Sequence, residues 1–211
     1  MSPPLRSLAA VLFALVPAAA LGAEPAPAPD LAKERARSLL QEGNRLLDGA
    51  FYLEALAKFE AAFAVFPSPR LHFNIAQTCN ELGRPLEALA HYELFVRGTR
   101  EEDSPAEWRL AHGQIFRLQD RVALLEVQAN VAGAQVLVDG AEVGRTPLPG
   151  PIRLLPGSHA LALVHPGYER QGVDLKLAGG QHQVQRVALL TEEEAVASRK
   201  TFQQADRKSV V

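Results

Sequence analysis

Between residues 125 and 190, short alternating apolar runs are cut every few residues by glycine or proline, and this pattern restricts the fold more than any other feature of the chain. Such runs are too short for helices. Strands need burial at every second residue, and turns need positive or fixed φ. Val136 and Val138 share one face of their run, and Asp139-Gly140 follows, a pair that tolerates the left-handed backbone of a tight hairpin. Gly144-Arg145-Thr146-Pro147-Leu148 is a second break, with the residue before proline held extended. Pro156-Gly157, Pro166-Gly167 and Gly179-Gly180 supply further turns. Strands are expected near 125–129, 135–139, 151–155, 158–164, 172–177 and 181–189. Each has one apolar face to bury, so the expected packing is a small antiparallel β-sandwich.

The segment before it is helical and repetitive. Leu53-Glu54-Ala55-Leu56 recurs 33 residues on as Leu86-Glu87-Ala88-Leu89, and the pairs Gly43/Ala76 and Phe59/Tyr92 keep the same offset. Small residues at Gly43, Ala55, Ala76 and Ala88 allow antiparallel helices to approach closely. The spacing and the residues Gly43, Tyr52, Ala55, Phe59, Ala62 and Pro67, followed by Ala76, Gly83, Ala88 and Tyr92, resemble the tetratricopeptide repeat, a helix–turn–helix unit of about 34 residues. Two such hairpins span 31–100. Ser68-Pro69 is expected to open the first helix of the second copy, with serine as cap. Ser104-Pro105-Ala106-Glu107 reads as a capping box, and Trp108, Ile115, Leu118, Val122 and Leu125 then recur at near-helical spacing. That helix, over 104–124, is expected to cover the open end of the array and to pass into the β part with little linker. The resemblance implies a peptide-binding groove on the first helix of each pair. Its positions here are Arg37, Gln41, Asn44, Arg70, Asn74 and Gln77, with Asn44 and Asn74 where some family members hold a peptide carboxylate. As bare residues, they read equally well as a polar solvated face.

Within 125–190 the order of Gly133, Ala134, Val136, Val138, Asp139 and Gly140, then Gly144, Thr146, Pro147 and Leu148, then Pro156, Gly157 and His159, then Gly167 and Tyr168 resembles the PEGA domain, a small β-sandwich module of bacterial surface and envelope proteins. The chain departs from the name-giving motif: Val131-Ala132-Gly133-Ala134 keeps only its last two letters. Known members bind or display, so the resemblance implies a contact role for this module, with Tyr168 as its candidate contact residue.

Residues 1–23 have the composition of a secretory signal: Arg6, an apolar run over 8–16, Pro17 and then small residues. Residues 24–30, EPAPAPD, form a Pro/Ala linker, and Asp30 is placed to cap the helix that follows. The formal charge of −2, or −3 once Arg6 is removed, argues against a nucleic-acid surface. Residues 191–211 read as a charged, helix-prone tail opened by the capping box Thr191-Glu192-Glu193-Glu194. Beyond the signal segment, no run is long and apolar enough to span a membrane.

No catalytic constellation emerges. Cys79 is a lone thiol on the inner face of a helix and reads as a small buried hydrophobe. Histidines 72, 91, 112, 159, 165 and 182 form no metal-ligand pair such as HxH or HExxH, although His159 and His165 could share a strand face. No cofactor and no metal are expected. The chain is read as a two-part α+β protein, with helical hairpins of the tetratricopeptide type followed by a PEGA-like sandwich. It is expected to be exported to the periplasm or cell envelope and to act without catalysis on a protein or peptide partner. An alternative makes the sandwich a carbohydrate- or peptidoglycan-binding module and the helices a spacer. Sugar rings need exposed aromatics to stack on, and Tyr168 is the one aromatic residue between 125 and 190.

Overall fold

The computed structural model describes residues 29–199. The stretch expected to be a signal segment, most of the Pro/Ala run and the end of the charged C-terminal stretch lie outside them. Five α-helices come first: α1 (Pro29–Asp48), α2 (Tyr52–Val65), α3 (Leu71–Glu81), α4 (Pro85–Gly98) and α5 (Pro105–Gln119). Seven strands follow: β1 (Ala123–Ala129), β2 (Gln135–Val138), β3 (Ala141–Arg145), β4 (Ile152–Leu154), β5 (Gly157–Val164), β6 (Gln171–Leu177) and β7 (His182–Val187). A short helix, α6, covers 192–199.

The 33-residue offset is a structural repeat. Ala50 ends the first turn of chain after α1 with φ +60°, and Gly83 does the same after α3 with φ +69°. The Phe51 N–H then donates to the Leu46 carbonyl at 2.9 Å, and the Arg84 N–H to the Cys79 carbonyl at 2.9 Å. Both hairpins therefore close through the same left-handed helix cap. Phe59, Ala55, Ala88, Tyr92 and Phe95 are buried between the helices. Gly43 is required by this packing, since a Cβ there would lie 2.6 Å from Phe59 Cε1. Helix α5 lays Ala111 and Leu118 on the same core, with Trp108 and Ile115 partly buried beside them.

Three helix starts differ from the sequence expectation. Asp30 lies inside the first turn of α1 rather than before it. Ser68 and Pro69 form a tight turn whose carbonyls accept from Leu71 and His72, so α3 begins at Leu71. Ser104 does sit at the start of α5, but its side chain makes no capping bond. The capping box of the tail does form: the Thr191 N–H donates to Glu194 Oε2 at 2.9 Å, and the Glu194 N–H to Thr191 Oγ1 at 3.3 Å.

The strands make two sheets, ordered β4-β1-β7 and β3-β2-β5-β6. Leu125, Val127, Val136, Val138, Leu161, Leu163, Leu175, Leu177 and Val187 fill the space between them. Two features correct the expected purely antiparallel sandwich. Strand β1 pairs with β7 in parallel, from Leu124↔His182 to Ala129↔Val187. Strand β3, the second arm of the Asp139-Gly140 hairpin, occupies a stretch expected to be a turn and break. Asp139 and Gly140 both take positive φ, 52° and 84°, as that hairpin requires.

The two parts meet without a linker. Val122 belongs to the helical core and Ala123 to the sandwich core. The β6–β7 turn sits against the end of α5: the Gly180 N–H donates to the Val122 carbonyl at 2.8 Å, and a Cβ at Gly179 would lie 2.6 Å from the Asp120 carbonyl oxygen. Arg153 of β4 grips Glu93 of α4 through two bonds of 2.8 Å.

Candidate functional site

Helices α1 and α3, the first of each hairpin, wall a groove of about 310 Å³. Lys33, Arg37, Ser68, Arg70 and Asn74 supply its polar lining, and Ala36, Leu40, Phe66 and Leu71 its apolar floor. No carboxylate lines it, so three cations face one concave surface. Arg70 is oriented from behind, because its Nη2 donates to the Asp103 carbonyl at 3.1 Å. Asn74 Nδ2 donates to Asn44 Oδ1 at 3.0 Å, tying α3 to α1 beside the groove. Such a surface suits a ligand with carboxylates for the guanidinium groups and an apolar side chain for the floor.

Of the six residues expected from sequence, Arg37, Arg70 and Asn74 line this groove and Asn44 is bonded to one of them. Gln41 is exposed about one turn beyond Arg37, and Gln77 is half-buried about one turn beyond Asn74; neither is part of the lining. Lys33 and Phe66 were not anticipated. Lys33 stands one turn before Arg37 on α1, a spacing the sequence does display; Phe66 arrives only through the return of the chain from α2.

Between α3 and α4, residues 19 apart in sequence meet as a pair: His72 Nδ1 and His91 Nδ1 are 2.9 Å apart. One ring must donate and the other accept, so the contact needs an unprotonated nitrogen. Burial lowers both pKa values, and for His72 the neighbouring His91 lowers it further. Among the described residues no group of three or more His, Cys, Asp or Glu side chains could hold a metal ion. Cys79 is buried and its thiol is pushed up to about 11, mainly by that burial.

In the sandwich, Asp139 and His159 form a lock. His159 Nδ1 lies 2.7 Å from Asp139 Oδ2 and its Nε2 lies 2.8 Å from the Leu155 carbonyl. Both ring nitrogens face acceptors, which favours the doubly protonated imidazolium. The hydrogen bond to Asp139, then the one to Leu155, raises the His159 pKa. Asp139 is lowered by its bond to His159 and by the Ala160 N–H, which donates to Oδ1 at 2.9 Å. His165, at the other end of β5, bonds to the Pro166 carbonyl and packs edge-on against Tyr168, so the two histidines do not converge. Tyr168 is half-buried, with its ring packed against the sandwich core. Asn130 was missed by the sequence reading: its amide donates to the Leu189 carbonyl at 3.0 Å and accepts from the Leu189 N–H at 2.8 Å, extending the β1–β7 pairing with a side chain.

Helical hairpins with a cation-rimmed groove, closed by a fifth helix and fused to a two-sheet sandwich, define a two-part α+β protein built from an α-helical array and a β module. Residues 122–193 match the family model of the PEGA domain. The match takes in all seven strands and the first two residues of α6, and the helical hairpins lie outside it. No curated protein matches the chain. Among the described residues no helix is long and apolar enough to cross a membrane.

Proposed function

We propose that this is a non-catalytic interaction protein of the bacterial periplasm or cell envelope, in which tetratricopeptide-type hairpins bind an acidic peptide segment of a protein partner while the PEGA module contacts the envelope. The observation that carries this reading is the groove between α1 and α3, where Lys33, Arg37 and Arg70 surround an apolar floor with no opposing carboxylate in the lining. Charge-assisted bonds from guanidinium to carboxylate are roughly twice as strong as neutral ones and fix orientation as well as affinity. An extracytoplasmic setting is supported by the PEGA match and by the signal-like composition of residues 1–23. Photocrosslinking in native envelopes tests the division of labour. A photoreactive residue at Asn74 is expected to capture one defined protein; adducts confined to a probe at Tyr168 would move binding to the β module and reduce the helices to a spacer.

A further inference from the structure

Strand β1 is covered on only half of one edge. Strand β4 pairs with it at Ala123, Leu124 and Leu125 and no further, whereas β7 follows the other edge as far as Ala129. The Leu124 N–H donates toward β7, to the Gln181 carbonyl at 2.8 Å. Backbone groups alternate along a strand, so the N–H and C=O of Val127 and Ala129 point the opposite way, past the end of β4. Continuing the β1–β4 register would set Gly150 against Val127 and Leu148 against Ala129. The chain instead bends at 149–150, between Pro149 and Pro151, and Leu148 packs against the sandwich core. What remains is a groove of about 520 Å³ beside the bare half-strand, walled by Val127, Ala129, Val131, Pro147, Leu148 and Pro151 among others.

The chemistry of that groove selects its occupant. Its polar side chains are already engaged. Thr146 Oγ1 donates to the Val131 carbonyl and accepts from the Ala134 N–H, Asn130 is held by Leu189, and Gln128 bridges Glu126 and Arg186. Glu126 is the one charged residue in the lining, and no aromatic ring is present to stack a sugar. The unmet groups are two amide donors and two carbonyl acceptors at strand spacing. We infer that this half-edge of β1 is a strand-addition site that takes an extended, neutral-to-basic polypeptide segment antiparallel to β1, in line with β4. Residues of the added strand that bond to Val127 and Ala129 share the face of those side chains and point inward, so they must be apolar. The residue between them points outward opposite Gln128 and diagonal to Glu126, whose carboxylate His182 approaches only at 3.6 Å, so a lysine or arginine is favoured there.

The direct probe is a capped hexapeptide of alternating valine and lysine added to the full chain. Amide exchange is expected to slow at Val127 and Ala129 on binding. N-methylation of the valines, whose N–H groups would face β1, is expected to weaken binding by about tenfold or more, and N-methylation of the lysines to leave it nearly unchanged. The variant Ala129→Pro removes one donor from an unpaired edge, where proline is tolerated, and should lose the peptide while the amide of Leu124 stays protected. Absence of protection at Val127 and Ala129, or equal affinity for the two methylated peptides, would overturn the inference.

Discussion

Replacing Thr146 by valine isolates the bond network that shapes the departure from the PEGA motif. Thr146 is buried, and the backbone on either side of it is stapled to the 131–134 bend: the Gly133 N–H donates to the Thr146 carbonyl at 2.6 Å and the Thr146 N–H to the Ala134 carbonyl at 2.9 Å. Its hydroxyl adds two more bonds, donating to the Val131 carbonyl at 2.6 Å and accepting from the Ala134 N–H at 3.0 Å. Valine keeps the shape and removes only those two. Ala134 is fully buried, so its N–H is stranded away from water, while the half-buried Val131 carbonyl regains part of its hydration. At about 1–3 kcal/mol for each buried group left unpaired, the loss is about 2–4 kcal/mol. Thr146→Ser keeps the hydroxyl and loses one methyl, which costs about 1 kcal/mol. Thermal melts followed by the backbone resonances of Val136 and Leu163 report on the sandwich alone. The midpoint on heating should fall by about 10 °C or more for valine if the module melts as a unit. Equal stability of valine and wild type, or a serine variant as unstable as the valine one, would refute the argument.

Acidification should act oppositely on the two halves. The His159 contribution is complete below the ordinary imidazole value and is lost as pH rises through its raised pKa. The Asp139 contribution is complete above the ordinary carboxylate value and is lost as pH falls through its lowered pKa. The helices instead lose stability as pH falls through the ordinary imidazole value, because His72 and His91 are held neutral. From about pH 8 to about pH 5, exchange at Ala160 should therefore slow relative to the helical amides, and Asp139→Asn should remove the effect in the sandwich. Ala50→Gly should stabilise the first hairpin by about 0.5–1 kcal/mol, since Ala50 is exposed and holds φ +60°; a neutral or destabilising result in thermal melts would contradict the cap assignment. Cys79 should resist thiol reagents in the native protein at neutral pH and react fully once unfolded, as a colorimetric thiol titration will show.

The parts that were readable in sequence are those where local periodicity and tertiary burial agree. The offset of Gly43, Ala55 and Phe59 against Ala76, Ala88 and Tyr92 is the register of the hairpin core, and it places Arg37, Arg70 and Asn74 on the groove. Alternation and turn signals found β1, β2 and β4 through β7: Leu125, Val136, Leu161, Leu175 and Val187 each point inward, and Ile152 and Leu154 pack against the same core. Strand β3 escaped because its five residues carry no buried side chain and hence no pattern. The parallel pairing of β1 with β7 escaped because a strand's apolar face does not encode the direction of its neighbour. Helix starts slipped where a turn competed with a cap: the carbonyls of Ser68 and Pro69 accept from the chain itself, so the serine side chain is not needed. The His72–His91 and Asp139–His159 pairs join residues 19 and 20 apart, distances at which only the folded chain brings side chains together.

Fluorescence anisotropy with a labelled acidic hexapeptide bearing a free C-terminal carboxylate measures whether the α1–α3 groove receives an acidic peptide as proposed. Binding is expected to weaken as salt rises and to fall by roughly tenfold or more when Arg37 and Arg70 are both replaced by alanine. Both residues are exposed, so the fold should survive the change. Unaltered affinity in that double variant, or no binding by the wild-type chain at low salt, would contradict the account.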